Sequence, residues 1–244
     1  MRRFRVLDGS LVVLGERVPV VIVGLIGLTL AASLLGAVGS RNGLPLRELG
    51  VLVPGAVYGG QVWRLLTWPF IETDGLPLLF GGLALYWFGR DLAYAWGPSR
   101  FLLVYLSLAG AAAGLTCLVA LFLWPSLLTR GVYFGHWPLV DALLIAWATL
   151  FPRRQMLQYF LIPMGGRNLV YFVVGLTAVF ALLNGPSLFV PHFAAMAVMF
   201  VYLRDWPLRE LWLRLRVRAL DRRRRRSHLE VVERPRDEPP RWVH

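Results

Sequence analysis

The chain has 244 residues, of which 57% are hydrophobic, and its 26 basic residues, all arginine, outnumber 14 acidic ones to give a net charge of +12. This composition excludes an ordinary soluble domain, because the apolar residues also come in runs long enough to cross a bilayer. The lone cysteine, Cys117, excludes an intramolecular disulfide and a paired zinc-ligand motif, and we interpret it as a packing residue. The sequence therefore predicts an all-α, polytopic membrane protein.

Six apolar segments are predicted to cross the membrane as helices, each of about 20 residues or fewer where a helix is surrounded by others. The fourth and sixth segments are short. Because non-helical backbone at membrane depth is tolerated only inside protein or beside a water-filled cavity, we place these two helices at the centre of the bundle. The predicted spans are 18–38, 76–96, 101–124, 137–152, 168–184 and 189–203.

The arginines predict an orientation in which both termini face the cytoplasm. Basic residues precede the first span and flank the connections between spans two and three and between spans four and five, and thirteen arginines lie in residues 204–244. A cleaved signal peptide is the alternative for the first span, although its apolar run is long for that role. We therefore expect residues 1–17 to be a cytoplasmic N-terminus and residues 18–203 to be one domain in a bacterial cytoplasmic membrane.

A long loop, residues 39–75, joins the first two predicted spans. It contains Trp63, Trp68 and Phe70, and tryptophan is common at the boundary between water and lipid. We expect the loop to lie partly in the outer interface, where Trp63 and the adjacent Arg64 would anchor it near lipid headgroups.

The C-terminal segment carries the highest density of basic charge. Residues 204–226 intersperse leucine and tryptophan with arginine, which predicts a basic amphipathic helix on the cytoplasmic face, whereas residues 227–244 are predicted to be disordered. The positive-inside rule explains this charge, so we expect anionic lipid headgroups and not nucleic acid as its partner. The arginines expected to contact these headgroups are Arg222, Arg223, Arg224, Arg225 and Arg226.

Several short motifs occur in order between residues 50 and 203. Trp63-Arg64 is followed by Thr67, and Val190-Pro191-His192 begins the sixth span. The ordered set resembles the rhomboid family of intramembrane proteases and their inactive relatives, the derlins, which share the Trp-Arg-x-x-Thr element. Further matches to the family are Gly89, Trp96-Gly97, Arg100-Phe101, Tyr105, Phe151-Pro152, Ile162-Pro163 and Phe193-Ala194-Ala195.

The resemblance assigns the family's catalytic roles to residues that mostly cannot perform them. His192 matches the general base, but Trp137 occupies the position of the serine in Gly-x-Ser-Gly and has no nucleophilic atom. The oxyanion-stabilising pair of the second helix falls on Pro77 and Gly81, which have no side-chain donor, although such donors contribute about 3–4 kcal/mol each. The resemblance therefore implies a six-helix pseudoprotease that binds or regulates transmembrane client proteins without cleaving them and without a cofactor. Trp137 would plug the former active site.

Other polar residues are candidates to line a client groove near the second and fifth helices. Asp141 lies one turn after Trp137, near the same end of the bundle as His192, so the two side chains could pair and His136 could join them. Two histidines and an aspartate are a conceivable metal site, but the spacing does not require one, and we expect no metal. The candidate groove or structural residues are Trp63, Arg64, Glu72 (near the family's first-loop histidine), His136, Trp137, Asp141 and His192.

Two charged residues occur near the predicted cytoplasmic end of the second span. The family's glutamate at this point falls on Ala93, and Asp91 is a candidate to replace it. Arg90 is expected to extend its side chain to the interface.

Two alternative functions remain open from the sequence. One is an active rhomboid-type serine protease with a non-standard site, for which Ser126, Thr129 and Cys117 are the available nucleophiles. The other is a proton-linked transporter in which Asp141, His192 and Asp91 form the proton path.

Overall fold

A computed structural model describes residues 10–13, 16–154 and 165–204. The described residues up to Tyr202 belong to one compact unit, and a second unit begins at Leu203. The predicted amphipathic helix, the disordered tail, the arginines assigned to lipid headgroups and the Ile162-Pro163 motif lie outside the described residues, apart from Arg204.

The described part of the chain is mostly helical, and the long helices lie where the apolar runs predicted them. Three segments are long and apolar enough to cross a membrane: Val20–Arg41, Pro98–Phe122 and Pro186–Arg204. Two shorter apolar helices accompany them, and the predicted total of six crossings stays a prediction, as does the orientation. Outside the first loop, which contains α2 to α4, the helices are α1 (Val20–Arg41), α5 (Gly75–Ala84), α6 (Arg90–Trp96), α7 (Pro98–Phe122), α9 (Trp137–Leu150), α10 (Gly166–Asn184) and α11 (Val190–Arg204). Between α7 and α9, α8 is a single turn at Leu127–Arg130.

The second predicted span consists of α5 and α6, which are joined without a break by a wider helical turn at Leu85–Gly89 with π-helical geometry. Such turns insert an extra residue into the helix and locally change which side chains face the neighbours. Phe88 within this turn packs edge-on against Trp147 of α9, with ring centroids 5.4 Å apart. The turn thereby joins the second helix to the middle of the structure.

A short hairpin precedes α1 and corrects the all-α prediction. Strand β1 (Ser10–Val13) pairs antiparallel with β2 (Glu16–Pro19), with Ser10 opposite Pro19. Proline cannot donate to a further ladder bond and suits the start of a helix, so β2 ends where α1 begins. Arg90, which was expected to extend to the interface, forms an ion pair with Glu16 of this hairpin.

The first loop is folded and not simply laid on an interface. It forms three short helices, α2 (Leu46–Gly50), α3 (Pro54–Tyr58) and α4 (Arg64–Thr67), followed by a tight turn at Trp68–Phe70. Trp68 is fully buried, and its indole N–H donates to the carbonyl of Ala109 on α7 at 3.3 Å. Trp68 therefore fixes the loop against α7, and the expectation that the loop lies partly in the outer interface stays a prediction.

Arg64 holds this loop together from the inside. Its side chain is buried, and Nη1 donates to the carbonyls of Glu48 at 2.5 Å and Val51 at 2.6 Å, while Nε donates to Gln61 Oε1 at 2.7 Å. Burial lowers the pKa of the guanidinium from its usual value. The partners of the Arg64 guanidinium are thus loop carbonyls and Gln61, in place of the lipid headgroups expected from the sequence.

The fourth predicted helix is confirmed as central, whereas the sixth is only partly so. Ten of the fourteen residues of α9 are buried, which is the pattern of a helix surrounded on most sides. Helix α11 buries only one side, formed by Pro191, Ala194, Ala195, Met196 and Met199. Small residues of α7, among them Ala109, Ala112 and Ala113, are fully buried and allow neighbouring backbone to approach closely.

Candidate functional site

The candidate site lies at the start of α9. Gly135 adopts a φ of +86° and donates its N–H to the carbonyl of Trp68 at 3.1 Å, so that the chain turns sharply before the helix. Pro138 lies in the first turn of α9, where a backbone N–H would have no acceptor within the helix, so the N–H that proline lacks costs no hydrogen bond. The turn places His136 and Trp137 at the N-terminus of α9, whose remaining residues are mostly buried.

A first histidine–carboxylate pair joins α9 to α11. His192 Nδ1 lies 2.6 Å from Asp141 Oδ2, and the two side chains are 19% and 12% exposed. His192 is held near the beginning of α11 beside Phe189, whose ring centroid is 5.1 Å from that of the imidazole. The structure thus brings together the two residues that the sequence suggested as a pair.

A second pair lies on another side of α9, where His136 meets Glu72 from the first loop. Their side chains are almost completely buried, and His136 Nδ1 is 3.3 Å from Glu72 Oε2. The two groups are close enough for an ion pair but not aligned for a hydrogen bond, since both atoms and His136 Nε2 lack a hydrogen-bond partner among the described residues. The predicted trio of His136, Asp141 and His192 is therefore divided between two separate pairs.

Two glycines make room for the buried pair. A Cβ atom on Gly81 would lie 2.0 Å from His136 Nε2, and a Cβ on Gly135 would lie 2.6 Å from Glu72 Oε2. Neither distance is physically possible, so any side chain at these positions would displace the pair. The resemblance places Gly81 at an oxyanion position, where it has no side-chain donor. The imidazole of His136 occupies the space that a side chain at Gly81 would need.

A cavity of about 290 Å³ lies beside the first pair, with His192, Pro138 and Asn184 among its lining residues. Tyr133 also lines this cavity and donates its hydroxyl to the carbonyl of Ser187 at 2.9 Å. Burial raises the pKa of Tyr133 to about 12. Its phenol therefore stays neutral and already bonded at ordinary pH, and it is not a free acid or base.

The remaining predicted residues lie in other surroundings. Trp63 is half-exposed in the first loop and donates its indole N–H to the Leu49 carbonyl at 3.1 Å. Asp91 accepts hydrogen bonds from Trp147 Nε1 at 3.0 Å and from Arg154 Nη1 at 2.6 Å. It thereby ties α6 to the C-terminal half of α9.

The alternative nucleophiles lie on α7 and in the connection that follows it. Cys117 is buried in α7, where its carbonyl accepts the hydroxyl of Tyr58 at 2.9 Å. Thr129 donates to the carbonyl of Ser126 at 3.4 Å within the turn of α8. In the part of the chain that the structure describes, no three histidine, cysteine or acidic side chains are grouped so that they could hold a metal ion.

Sequence reasoning named all four members of the two pairs but did not predict that His136 meets Glu72. The two residues are 64 positions apart, and the sequence suggested His136 only as a partner of Asp141 and His192. The available signal was the glycine immediately before His136, since a glycine at a sharp turn often marks a close approach by another group.

Comparison with known proteins gives two matches. The model of a family described as eukaryotic integral membrane protein (DUF1751) matches residues 21–207. The rhomboid protease GluP of Bacillus subtilis (strain 168) is 37% identical over 101 residues, which amount to 40% of this chain and 19% of that relative. The chain therefore corresponds to only a small part of the length of this protease.

Proposed function

Because the chain belongs to this family of integral membrane proteins and the matches support a place in the rhomboid-like superfamily, we propose that it is a rhomboid-like pseudoprotease. It binds or regulates transmembrane client proteins and does not cleave them. Its membrane is proposed to be a bacterial cytoplasmic membrane, although the matching family is described as eukaryotic.

The observation that carries this proposal is Trp137, which stands where the resemblance places the nucleophilic serine, so that the His192–Asp141 pair has no serine to activate. A base that activates a serine needs one ring nitrogen directed at the hydroxyl that it deprotonates. Here Nδ1 is 2.6 Å from a carboxylate, and the helix that would supply the serine has Trp137 in its place. The imidazole of His192 is therefore held by Asp141, but this helix offers it no serine hydroxyl to deprotonate.

The surroundings of the former oxyanion position support the same proposal. Stabilising the negative charge of a tetrahedral intermediate needs donors aimed at the developing oxyanion. Pro77 and Gly81 offer no side-chain donor, and the space beside Gly81 is filled by His136. Replacing Trp137 with serine would consequently restore the nucleophile without the stabilisation that the reaction needs.

Client binding is supported by the apolar surfaces of the second and fifth helices. Both helices expose large apolar side chains, as helices in contact with lipid do, and we propose that a transmembrane segment of the client replaces lipid on these surfaces. The exposed residues of α5 are Leu76, Leu79 and Phe80, and those of α10 are Tyr171, Phe172, Leu176, Val179, Phe180, Leu182 and Leu183.

Photo-crosslinking from position 137 in native membranes tests client binding directly. We expect intact membrane proteins to be captured through their transmembrane segments, and expect capture to fall when a bulky residue at Asn184 narrows the neighbouring cavity. Lipid adducts alone from a folded protein would contradict client binding at this site.

A cleavage assay tests the second half of the proposal. The purified wild type and Trp137→Ser are both expected to leave a transmembrane substrate intact, with a competent rhomboid protease as the positive control. Cleavage by the wild type that is lost in His192→Ala would overturn the proposal, and robust cleavage by Trp137→Ser would show that other groups stabilise the oxyanion.

An active hydrolase is the second candidate, because an aspartate beside a histidine also orients the base in serine hydrolases. The Asp141–His192 pair has that arrangement. This candidate requires a nucleophile within reach of His192, for which Ser126, Thr129 and Cys117 are the options from the sequence. Covalent labelling of one of them by a mechanism-based serine or cysteine probe, lost in His192→Ala, would favour the hydrolase.

A further inference from the structure

The cavity of about 290 Å³ beside His192 has three polar side chains in an otherwise apolar and aromatic lining, those of Tyr133, Asn184 and His192. None of its described lining residues is an arginine, an aspartate or a glutamate. Val132 and Leu188 on its rim are exposed, so the cavity opens to the outside of the protein. What it binds therefore depends on the free atoms of three side chains.

Two of these side chains have already used a donor inside the protein. Tyr133 donates its only O–H to the Ser187 carbonyl at 2.9 Å. Asn184 donates an N–H of its amide to the Phe180 carbonyl at 3.1 Å. The tyrosine oxygen retains lone pairs, and the amide oxygen of Asn184 takes no part in its bond to Phe180. Both residues therefore offer an acceptor to a ligand.

His192 offers a third acceptor. An ionised carboxylate can only accept, so Nδ1 carries the proton in the contact of 2.6 Å with Asp141. In the neutral imidazole the other nitrogen, Nε2, is then an acceptor. Nε2 has no hydrogen-bond partner among the described residues, and it is not one of their buried unpaired atoms. It is therefore accessible to a ligand in the cavity that His192 lines.

These free atoms match a primary ammonium group, which has three N–H donors and no acceptor. The rings of Trp68, Phe134 and Phe189 also line the cavity, and aromatic faces attract cations. The charges agree, because an ammonium beside neutral His192 and ionised Asp141 makes the site neutral overall. A carboxylate ligand would need a protonated His192 and would leave a net negative charge, with no second basic group in the described lining.

The lining favours a lysine side chain over a lipid headgroup as the carrier of this ammonium. Lysine has a four-carbon apolar stem, which fits against aromatic and aliphatic walls. An ethanolamine headgroup carries a phosphate close to its nitrogen, and the described lining has no arginine to pair with that phosphate. Sites for drug-sized ligands have volumes of about 300–1,000 Å³, so a cavity of about 290 Å³ suits one side chain.

We propose that this cavity selects clients that carry a lysine at the outer end of their transmembrane segment. The lysine ammonium hydrogen-bonds with His192 Nε2, the Tyr133 oxygen and the Asn184 amide oxygen. This inference rests on the proposed client binding and names the residue that is recognised. Basic residues are depleted on the outer side of membrane proteins, where the cavity is predicted to lie. A lysine there would therefore distinguish a small class of clients.

The test compares single-span probe proteins that differ at one residue, which is lysine, methionine or glutamate at the outer end of the span. The full chain, with a photoactivatable residue in place of Leu188, is reconstituted in vesicles of phosphatidylcholine and phosphatidylglycerol, which contain no primary amine. We expect half-maximal capture of the lysine probe at about ten-fold lower concentration than that of the methionine probe, the effect of a charge-assisted hydrogen bond. The glutamate probe should be captured least.

Charge substitutions at Asn184 test the location. Asn184→Asp adds a negative charge at the end of α10 and should increase the preference for lysine over methionine by about three-fold. Asn184→Lys should reverse the preference in favour of glutamate. Asn168→Asp, at an exposed asparagine near the other end of the same helix, is the matched control and should leave the preference unchanged. Size-exclusion chromatography shows whether each variant is folded.

Substitutions at the other two acceptors test the recognition itself. Tyr133→Phe keeps the aromatic ring and removes one acceptor, so it should reduce capture of the lysine probe more than capture of the methionine probe. His192→Leu should abolish the preference for lysine. His192→Gln, whose amide retains an acceptor, should keep part of that preference.

Two competitors separate the sources of the ammonium group. Butylammonium should compete with the lysine probe and not with the methionine probe. Replacing the phosphatidylcholine by phosphatidylethanolamine should leave the preference for lysine intact. Loss of the preference in those vesicles would assign the cavity to a lipid headgroup and overturn the proposal of a client lysine.

The remaining outcomes distinguish this inference from the proposed function. Equal capture of the lysine and methionine probes by the folded wild type would overturn the inference and leave client binding standing. An unchanged preference for lysine in folded Asn184→Lys would also overturn it. Capture of no probe, from position 188 or from position 137, would contradict client binding itself, and the inference would fall with it. If His192→Leu does not fold, the Asn184 variants and the competition by butylammonium decide.

Discussion

The two histidine–carboxylate pairs at the start of α9 differ in how the protein keeps them. His192 and Asp141 are partly exposed and separated by 2.6 Å, so a direct polar contact holds them together. His136 and Glu72 are almost completely buried, separated by 3.3 Å and not aligned for a hydrogen bond. The second pair is kept mainly by the space around it.

A polar pair can be held in place by the direct contact between its two members or by neighbouring residues that leave room for it. A histidine and a carboxylate attract each other when they are close, and a well-aligned hydrogen bond to a charged group contributes about 1.5–3 kcal/mol to stability. The buried pair gains less from alignment and depends on Gly81 and Gly135, whose missing side chains form its cavity. Substitutions at glycines should therefore disturb the buried pair more than loss of a carboxylate disturbs the exposed one.

The largest effect is expected for Gly135→Ala. A positive φ and a Cβ at 2.6 Å from Glu72 Oε2 should together destabilise the protein by about 2–4 kcal/mol. Unfolding in mixed micelles titrated with a denaturing detergent measures the change. Gly60→Ala, with a φ of +97° and open space around it, isolates the backbone strain. Equal losses of stability in the two variants would show that the Glu72 side chain moves away from the added Cβ with no loss of free energy.

A somewhat smaller loss, about 1–3 kcal/mol, is expected for Gly81→Ala, because its methyl group must displace the imidazole of His136. The same detergent titration applies. In the double variant with His136→Ala, the methyl group meets no ring, so the added loss from Gly81→Ala should nearly disappear. Simple additivity of the two substitutions would mean that the crowding lies elsewhere.

Asp141→Asn should reduce stability by about 1–2 kcal/mol, because the amide retains shape and some hydrogen bonding but not the charge assistance. A double-mutant cycle with His192→Gln measures the coupling energy. Asp74→Asn, at an exposed aspartate, is the matched control and should change stability by less than about 0.5 kcal/mol. Coupling near zero between positions 141 and 192 would show that the contact contributes little.

The smallest effect is expected at Ser33, which positions the chain that carries Glu72. Its hydroxyl accepts the Glu72 N–H at 2.9 Å and donates to the Phe70 carbonyl at 3.3 Å. Ser33→Ala should destabilise by about 1 kcal/mol. Ser107→Ala, whose bond to the Val104 carbonyl stays within α7, should change the unfolding midpoint less. A larger shift in the control would contradict a positioning role for Ser33.

The positions of the long helices could be predicted because the apolar runs are local and strong. The central place of α9 was also predicted, since its length and composition suit a buried helix. The hairpin before α1 was missed, because its eight paired residues carry no alternation of apolar and polar side chains that would distinguish them from a flanking segment. The π-helical turn at Leu85–Gly89 was missed because its cause is packing against other helices.

The contacts inside the first loop could not be predicted from the sequence. Its tryptophans and Arg64 have the composition of a membrane-interface segment, and composition alone favours lipid contact. Only the folded chain brings the carbonyls of Glu48 and Val51 to the guanidinium and the Ala109 carbonyl to Trp68. An amphipathic side chain is satisfied equally well by lipid or by protein, so its sequence does not distinguish the two.

The sequence by itself determined that this is a helical membrane protein, and its resemblance to the rhomboid family predicts that a serine and two donors are replaced at Trp137, Pro77 and Gly81. Those properties depend on residue identity and on local hydrophobicity. Tertiary structure alone decided that His136 faces Glu72 while Asp141 faces His192. The choice depends on the position of His136 before α9 and of Asp141 within it, and on the space that Gly81 leaves. These factors act only when distant segments pack together.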